Sequence, residues 1–187
     1  MGVTKQMAAL DEALPATGTA AALDYDVIVI GAGISGLYQL YRLREIGLRV
    51  RVFEAGTGVG GTWYWNRYPG ARFDSESYSY SFSFSPDLLQ EWDWSEHFAA
   101  QPETLRYLNH VADKFDLRRD IQFRSRVTSA HYQDKTRTWM TTLEDGSRFQ
   151  SRFLVTAIGP LSAPTMPRID GVESFAGQSF HTARWPH

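Results

Sequence analysis

The sequence lacks cysteine, has little net charge and contains no long apolar run. Its 187 residues include no Cys and carry a formal net charge of −2. Disulfides, thiolate metal ligands and cysteine nucleophiles are therefore excluded, and no basic field would attract nucleic acid or an anionic membrane. No segment approaches the ~20 apolar residues of a membrane-spanning helix, and no secretory signal is recognisable. We expect a cytoplasmic protein without a nucleic-acid or membrane partner.

The chain is long enough to bury a core, and its first 24 residues look separate from that core. Residues 1–24 are rich in Ala and Thr and include Pro15 and Gly18, which predicts a flexible leader. A chain of this length forms one large domain or two small ones. The sequence therefore places the start of the ordered domain at Tyr25.

A glycine-rich turn between a strand and a helix is the strongest signal in the chain. Residues 27–30 are a short β-branched run, typical of a strand buried on both faces. The segment Gly31-Ala-Gly33-Ile-Ser-Gly36 follows, and the apolar spacing after it predicts a helix that stops at Gly47. A second strand over residues 49–54 would complete a βαβ unit that ends at Glu54.

The residues of this turn are those that dinucleotide binding requires. Gly31 permits a tight turn, Gly33 lets a pyrophosphate approach the backbone, and Gly36 lets the helix pack close to the strand. The helix N-terminus attracts phosphate, and Ser35 can add a hydroxyl donor. Glu54 is expected to accept hydrogen bonds from ribose hydroxyls and to repel a 2′-phosphate. NAD or FAD, rather than NADP, is therefore predicted at this turn.

The rest of the chain predicts a helix and an antiparallel meander. The helix is expected over residues 102–117, and the strands over residues 126–132, 138–143, 148–153 and 153–158. The alternation of Ser with aromatics over residues 77–85 fits either a half-buried strand or an ordered loop. The meander favours FAD over NAD, because a pure NAD domain usually continues with βαβ units.

These elements predict an α/β fold. The expected unit is a Rossmann-like FAD-binding domain over residues 25–160, with a parallel sheet, helices and an antiparallel β-meander. Prolines at 160, 164 and 167 make residues 161–187 an extended, stiff connector.

Further motifs resemble those of a known family. The segments Gly60-Gly61-Thr62-Trp63 and Tyr68-Pro69-Gly70, with Asp74, are similar to the second motif of Baeyer–Villiger monooxygenases, the class B flavoprotein monooxygenases. Residues 175–186 resemble that family's fingerprint, Phe-x-Gly-x-x-x-His-x-x-x-Trp-Pro. The similarity runs from about Asp24 to His187 and is closest to the phenylacetone and steroid monooxygenase type. It implies the N-terminal FAD-binding part of such an enzyme, incomplete at its C-terminal end.

The resemblance implies NADPH-dependent flavin chemistry on a ketone. Family members hold FAD, reduce it with NADPH and use dioxygen to convert ketones into esters or lactones. Their NADPH domain and active-site arginine follow the fingerprint, so the connector would lead toward an NADPH domain absent here. The 187-residue chain alone is expected to be inactive, with reduced FAD affinity. An N- or S-oxygenating flavin-containing monooxygenase and a non-catalytic short FAD-binding protein are the alternatives.

The resemblance also implies a set of site residues. Arg72 and Asp74 would face the nicotinamide, with Asp74 as the catalytic residue, and His181 would lie at a hinge between domains. Taken alone, Asp74 fits a solvated loop carboxylate, His181 a structural histidine and the tryptophans core aromatics. No histidine has metal-ligand spacing. The residues expected to bind FAD are Gly31, Gly33, Ser35, Gly36 and Glu54 at its ADP part, Thr62, Trp63 and Trp65 along the flavin, and Gly61, Tyr80, Val127 and Gly159 elsewhere.

Overall fold

The computed structural model describes residues 22–186, so the expected leader lies almost wholly outside the described residues. The described part contains six strands and four α-helices in the order β1, α1, β2, α2, α3, α4, β3, β4, β5 and β6. Their bounds are β1 Tyr25–Ile30, α1 Ile34–Glu45, β2 Val50–Phe53, α2 Thr62–Trp65, α3 Pro86–Glu91, α4 Gln101–Lys114, β3 Ile121–Gln122, β4 Val127–Gln133, β5 Thr138–Leu143 and β6 Arg148–Thr156.

All six strands form one mixed sheet in the order β3-β2-β1-β6-β5-β4. The pairs β3–β2, β2–β1 and β1–β6 are parallel, whereas β6–β5 and β5–β4 are antiparallel. The first half of β6 belongs to the meander and its second half to the parallel sheet, and Ser151 pairs with both Tyr25 and Trp139. The α/β class with its meander is therefore confirmed.

The expected division of residues 148–158 into two strands is wrong. They contribute a single strand, β6, which ends at Thr156. The change in hydrophobic pattern near Phe153 marks where β6 gains β1 as a parallel neighbour, and not where the chain turns.

Helices α1 and α4 cover one face of the parallel strands. Leu37 and Leu40 of α1 and Leu108 and Val111 of α4 are buried in the same cluster as Val29 of β1. Gly47 follows α1 with a φ of 82°, so it ends the helix as the sequence predicts. None of the helices in the described range is long and apolar enough to span a bilayer.

The segment rich in serine and aromatics is a loop, so the strand interpretation of residues 77–85 is wrong. Ser77–Tyr80 forms a 3₁₀ turn, and no residue between it and α3 lies in a strand. The Tyr107 hydroxyl on α4 accepts a hydrogen bond of 2.7 Å from the Phe82 amide. The aromatic rings of this loop pack against helices, and the backbone therefore has no neighbouring strand with which to pair.

Candidate active site: a dinucleotide cavity

A cavity of about 640 Å³ lies at the carboxyl ends of β1, β2 and β6. It reaches from the glycine turn after β1 across Glu54 at the end of β2, and its other walls come from α2, residues 125–127 and residues 157–164. Ligands of open α/β sheets bind at this edge, where the loops after parallel strands diverge. The topology thus explains why residues distant in sequence meet here.

The two glycine clusters of the sequence touch each other in the floor of the cavity. The Gly60 amide donates to the Ala32 carbonyl at 3.0 Å. A Cβ on Gly61 would lie 2.8 Å from the Gly33 Cα, and Gly61 has a φ of 53°. A side chain at Gly61 would therefore push the two loops apart, and the floor they form is bare backbone.

The glycine turn also brings α1 close to the sheet. A Cβ on Gly36 would lie 1.9 Å from the Gly31 carbonyl oxygen, so this position serves packing and does not line the cavity. Gly33 is the N-cap of α1, and no side chain caps the helix. The first amides of α1 have no acceptor within the helix. Because Ile34 and Ser35 line the cavity, this helix end can donate to a phosphate there.

Glu54 holds the glycine turn as well as lining the cavity. The residue is 4% exposed, and its carboxylate accepts hydrogen bonds from the Ala32 and Gly56 amides, each at 2.7 Å. The sequence predicts only a contact between Glu54 and a ribose. The structure adds a role in the protein itself, since each oxygen already has one backbone donor. Each oxygen still has a lone pair that can accept from a ligand.

Aromatic side chains build the opposite wall. The Trp63 indole is buried and donates from Nε1 to the Tyr80 hydroxyl at 2.8 Å. Tyr80 stacks on Phe73 with 4.3 Å between ring centroids, and Trp63 meets the Phe73 ring edge-on. Burial raises the pKa of Tyr80, and the negative charge of Asp74 adds to this, while the Trp63 hydrogen bond opposes it. The wall is thus rigid, and Tyr80 is neutral near pH 7.

Most of the predicted cofactor residues line this cavity, but Gly36, Arg72 and Asp74 do not. The Arg72 guanidinium is 2.9 Å from the Glu96 carboxylate and also donates to the Phe98 carbonyl. Asp74 is exposed. The nicotinamide-facing role of Arg72 and Asp74 stays a prediction. The predicted residues that the structure brings together are Gly31, Gly33, Ser35, Glu54, Gly61, Thr62, Trp63, Trp65, Tyr80, Val127 and Gly159.

The fingerprint segment contributes one residue to the cavity. The His181 Nδ1 atom accepts a hydrogen bond from the Ala183 amide at 3.1 Å and so caps the 3₁₀ turn Thr182–Arg184. Ala183 of this turn lines the cavity. The described contact of His181 is local, and its hinge role stays a prediction.

Sequence reasoning missed several lining residues. Ser125 and Arg126 precede the predicted Val127, and both line the cavity. The sequence assigns Arg126 to a strand, and that assignment gives no indication that its side chain lines the cavity. Asn66 and residues 160–164 also line the cavity. Within residues 22–186 no three His, Cys, Asp or Glu side chains come together as metal ligands.

Comparisons with known proteins identify relatives of this fold and site. A family model described as an NAD(P)-binding Rossmann-like domain matches residues 29–92. Over 161 residues the chain is 52% identical to an acetone monooxygenase (methyl acetate-forming) of a Gordonia species, which covers 86% of this chain. A Baeyer–Villiger monooxygenase of Pseudooceanicola batsensis is 46% identical and covers 87%. A phenazine N-monooxygenase of Lysobacter antibioticus is also 46% identical and covers 87%. The chain spans about 30% of the length of each relative.

Two solved structures superpose on most of this chain. A steroid monooxygenase bound to NADP superposes with a TM-score of 0.80 at 60% identity, over 87% of this chain and 31% of its own. The enzyme OTEMO, in a complex with FAD and NADP, superposes with a TM-score of 0.82 at 49% identity, over 89% of this chain and 31% of its own.

Proposed function

We propose, from the membership of this chain in the Baeyer–Villiger monooxygenase family, that it is the FAD-binding part of an NADPH-dependent enzyme acting on ketones. The observation that carries the proposal is the backbone floor where Gly33 and Gly61 meet. A floor without side chains beside a free helix N-terminus suits a diphosphate, which needs close amide donors and space.

The cavity has a volume and a set of lining residues that suit an adenine dinucleotide. Its volume of about 640 Å³ lies within the ~300–1,000 Å³ typical of small-molecule sites. In this proposal Gly31, Gly33 and Ser35 hold the diphosphate, and Glu54 accepts from the adenosine ribose. Trp63 and Tyr80 lie on the side of α2 and offer an apolar wall for the flavin ring.

When bound, FAD supplies the electron transfer and the activation of dioxygen, with NADPH as the reductant. The residues of this chain position the cofactor and exclude water from it. The Trp63–Tyr80 hydrogen bond fixes both rings, and the glycine contacts keep the floor rigid. The overall conversion consumes a ketone, dioxygen, NADPH and a proton, and yields an ester or lactone, water and NADP⁺.

This proposal assigns the organisation of the chain as well. Residues 25–160 are the FAD-binding unit and residues 161–187 connect it to an NADPH-binding unit. Asp74 would act beside the nicotinamide once that unit is present. The absence of cysteine suits a reducing compartment, so we place the enzyme in the cytoplasm.

Oxygen transfer to nitrogen is the second candidate function. The phenazine N-monooxygenase is as similar to this chain as the Pseudooceanicola Baeyer–Villiger enzyme. Over the matched third of these enzymes, sequence identity therefore favours neither a ketone nor an amine as the acceptor of oxygen.

Binding of FAD to the purified chain tests the proposal first. We expect flavin fluorescence to change on titration, and Gly33→Val to abolish this because its side chain would enter the floor. The matched control is His131→Val, at an exposed position of β4 that does not line the cavity and where a β-branched residue suits the strand. Normal FAD binding by Gly33→Val would contradict the proposal.

The reaction is tested in a chimera that joins this chain to the C-terminal part of the Gordonia acetone monooxygenase. Product analysis with a ketone and an amine, with NADPH, then separates the two candidate functions. The 187-residue chain alone is expected to convert neither substrate.

A further inference from the structure

Arg126 is a cation at the mouth of the cavity. Among the described residues that line the cavity, Glu54 is the only acidic one and Arg126 the only lysine or arginine. Glu54 is buried and occupied by two backbone amides. Arg126 is exposed, and within residues 22–186 its side chain makes no ion pair or hydrogen bond. Its guanidinium is therefore available to a ligand.

The backbone of Arg126 is fixed beside the acid that ends β2. The Ser125 amide donates to the Glu54 carbonyl at 2.8 Å, and the Arg126 carbonyl accepts from the Glu144 amide at 2.8 Å. Val127, the next residue, begins β4 and pairs with Leu143. The backbone position of Arg126 is thus set by the sheet, while its exposed side chain lines the cavity without a polar partner among residues 22–186.

This position corresponds to the adenosine end of a dinucleotide. The diphosphate belongs at the N-terminus of α1, and the acid at the end of the second strand contacts the adenosine ribose. The adenine ring then extends past Glu54 toward residues 125–127. A planar guanidinium stacks well on an aromatic ring, which an ammonium group does not do.

We propose that Arg126 covers the adenine ring of the bound dinucleotide and selects ligands that carry an adenosine group. The proposal rests on the proposed function, since it requires FAD in this cavity. It assigns to Arg126 a contact with the cofactor that is separate from the backbone floor under the diphosphate.

A different reading of the same cation is recognition of a ribose 2′-phosphate, which an arginine near the ribose can bind. Glu54 argues against it, because its carboxylate occupies the place where that phosphate would lie. The two interpretations differ in ligand preference, so 2′,5′-ADP distinguishes them from ADP.

The test measures binding of FAD, ADP, FMN and 2′,5′-ADP to the purified 187-residue chain by ligand-observed NMR. The variants are Arg126→Ala, Arg126→Lys and the control Arg106→Ala. Arg106 is an exposed arginine of α4 that does not line the cavity. Circular dichroism and thermal unfolding confirm that each variant is folded.

We expect Arg126→Ala to weaken FAD and ADP by about 2- to 30-fold and to leave FMN unchanged. Arg126→Lys should recover only part of the loss, because it keeps the charge without the plane. Unchanged ADP binding by Arg126→Ala overturns the inference, as does full rescue by lysine. A preference of the wild type for 2′,5′-ADP that disappears in Arg126→Ala also overturns it. Failure of the wild type to bind FAD and ADP overturns the proposed function itself.

Discussion

Replacing Glu54 by glutamine tests whether this carboxylate holds the protein fold or only a ligand. In the structure the Ala32 and Gly56 amides each donate to one of its oxygens at 2.7 Å, and both bonds are buried. Glutamine keeps one acceptor oxygen, while its NH₂ group faces the second amide and cannot accept from it. One buried N–H thus loses its partner, and the other loses a charged acceptor.

The expected loss is about 2–4 kcal/mol in the free energy of unfolding. An unpaired buried donor costs about 1–3 kcal/mol, and a hydrogen bond to a charged group is stronger than a neutral one by about 1 kcal/mol. For a domain of this size that corresponds to a fall of about 4–16 °C in Tm. Glu54→Ala, which leaves both amides without an acceptor, should be less stable again.

Urea unfolding of the chain without FAD, followed by tryptophan fluorescence, measures this effect. The control is Glu45→Gln. Among residues 22–186 the exposed Glu45 carboxylate pairs only with Arg42, so this variant should change stability by less than about 0.5 kcal/mol. If Glu54→Gln unfolded like the wild type in the absence of FAD, the structural role assigned to Glu54 would be refuted.

Further predictions concern packing, the aromatic wall and the nicotinamide-facing loop. Gly36→Ala should lower the free energy of unfolding by more than about 3 kcal/mol, because its Cβ would lie 1.9 Å from a carbonyl oxygen. Gly47→Ala is the control, since it adds only the strain of a positive φ, about 1–2 kcal/mol. Thermal unfolding of the two variants measures the difference. Trp63→Phe should raise the pKa of Tyr80 further, because it removes the donor that lowers it. Burial already raises this pKa. The folding stability that protonated Tyr80 contributes is therefore present below pH about 10 and is lost as the pH rises through the raised pKa. Absorbance titration at alkaline pH, with Tyr80→Phe as the reference, measures the change in the pKa of Tyr80. Asp74→Asn should leave FAD binding by the chain unchanged, because Asp74 does not line the cavity. The same variant should lower the rate of NADPH oxidation by the chimera. Weakened FAD binding would contradict the position of Asp74 outside the cavity.

Local sequence patterns predicted the βαβ unit and the meander well. The β-branched run before Gly31 became β1, and Gly47 ended α1. These features depend on neighbouring residues alone. The error at Phe153 has a different origin, because whether a strand continues depends on which distant strand pairs with it. The alternation of serine with aromatics left strand and loop open for the same reason, because only the packed structure shows that the rings of this segment contact helices and that its backbone has no strand beside it.

Residues that are neighbours along the chain suffice to predict the glycine turn, the acid at the end of β2 and the residue types that suit a dinucleotide. Three features emerge only from the packing of the whole domain: Gly61 contacts Gly33, the Glu54 carboxylate accepts from two backbone amides of the turns beside it, and Arg126 lines the cavity. Turn and helix signals act over a few residues, so they can be read along the chain. Contacts between loops depend on strand order in the sheet, and that order is fixed only when the whole domain packs.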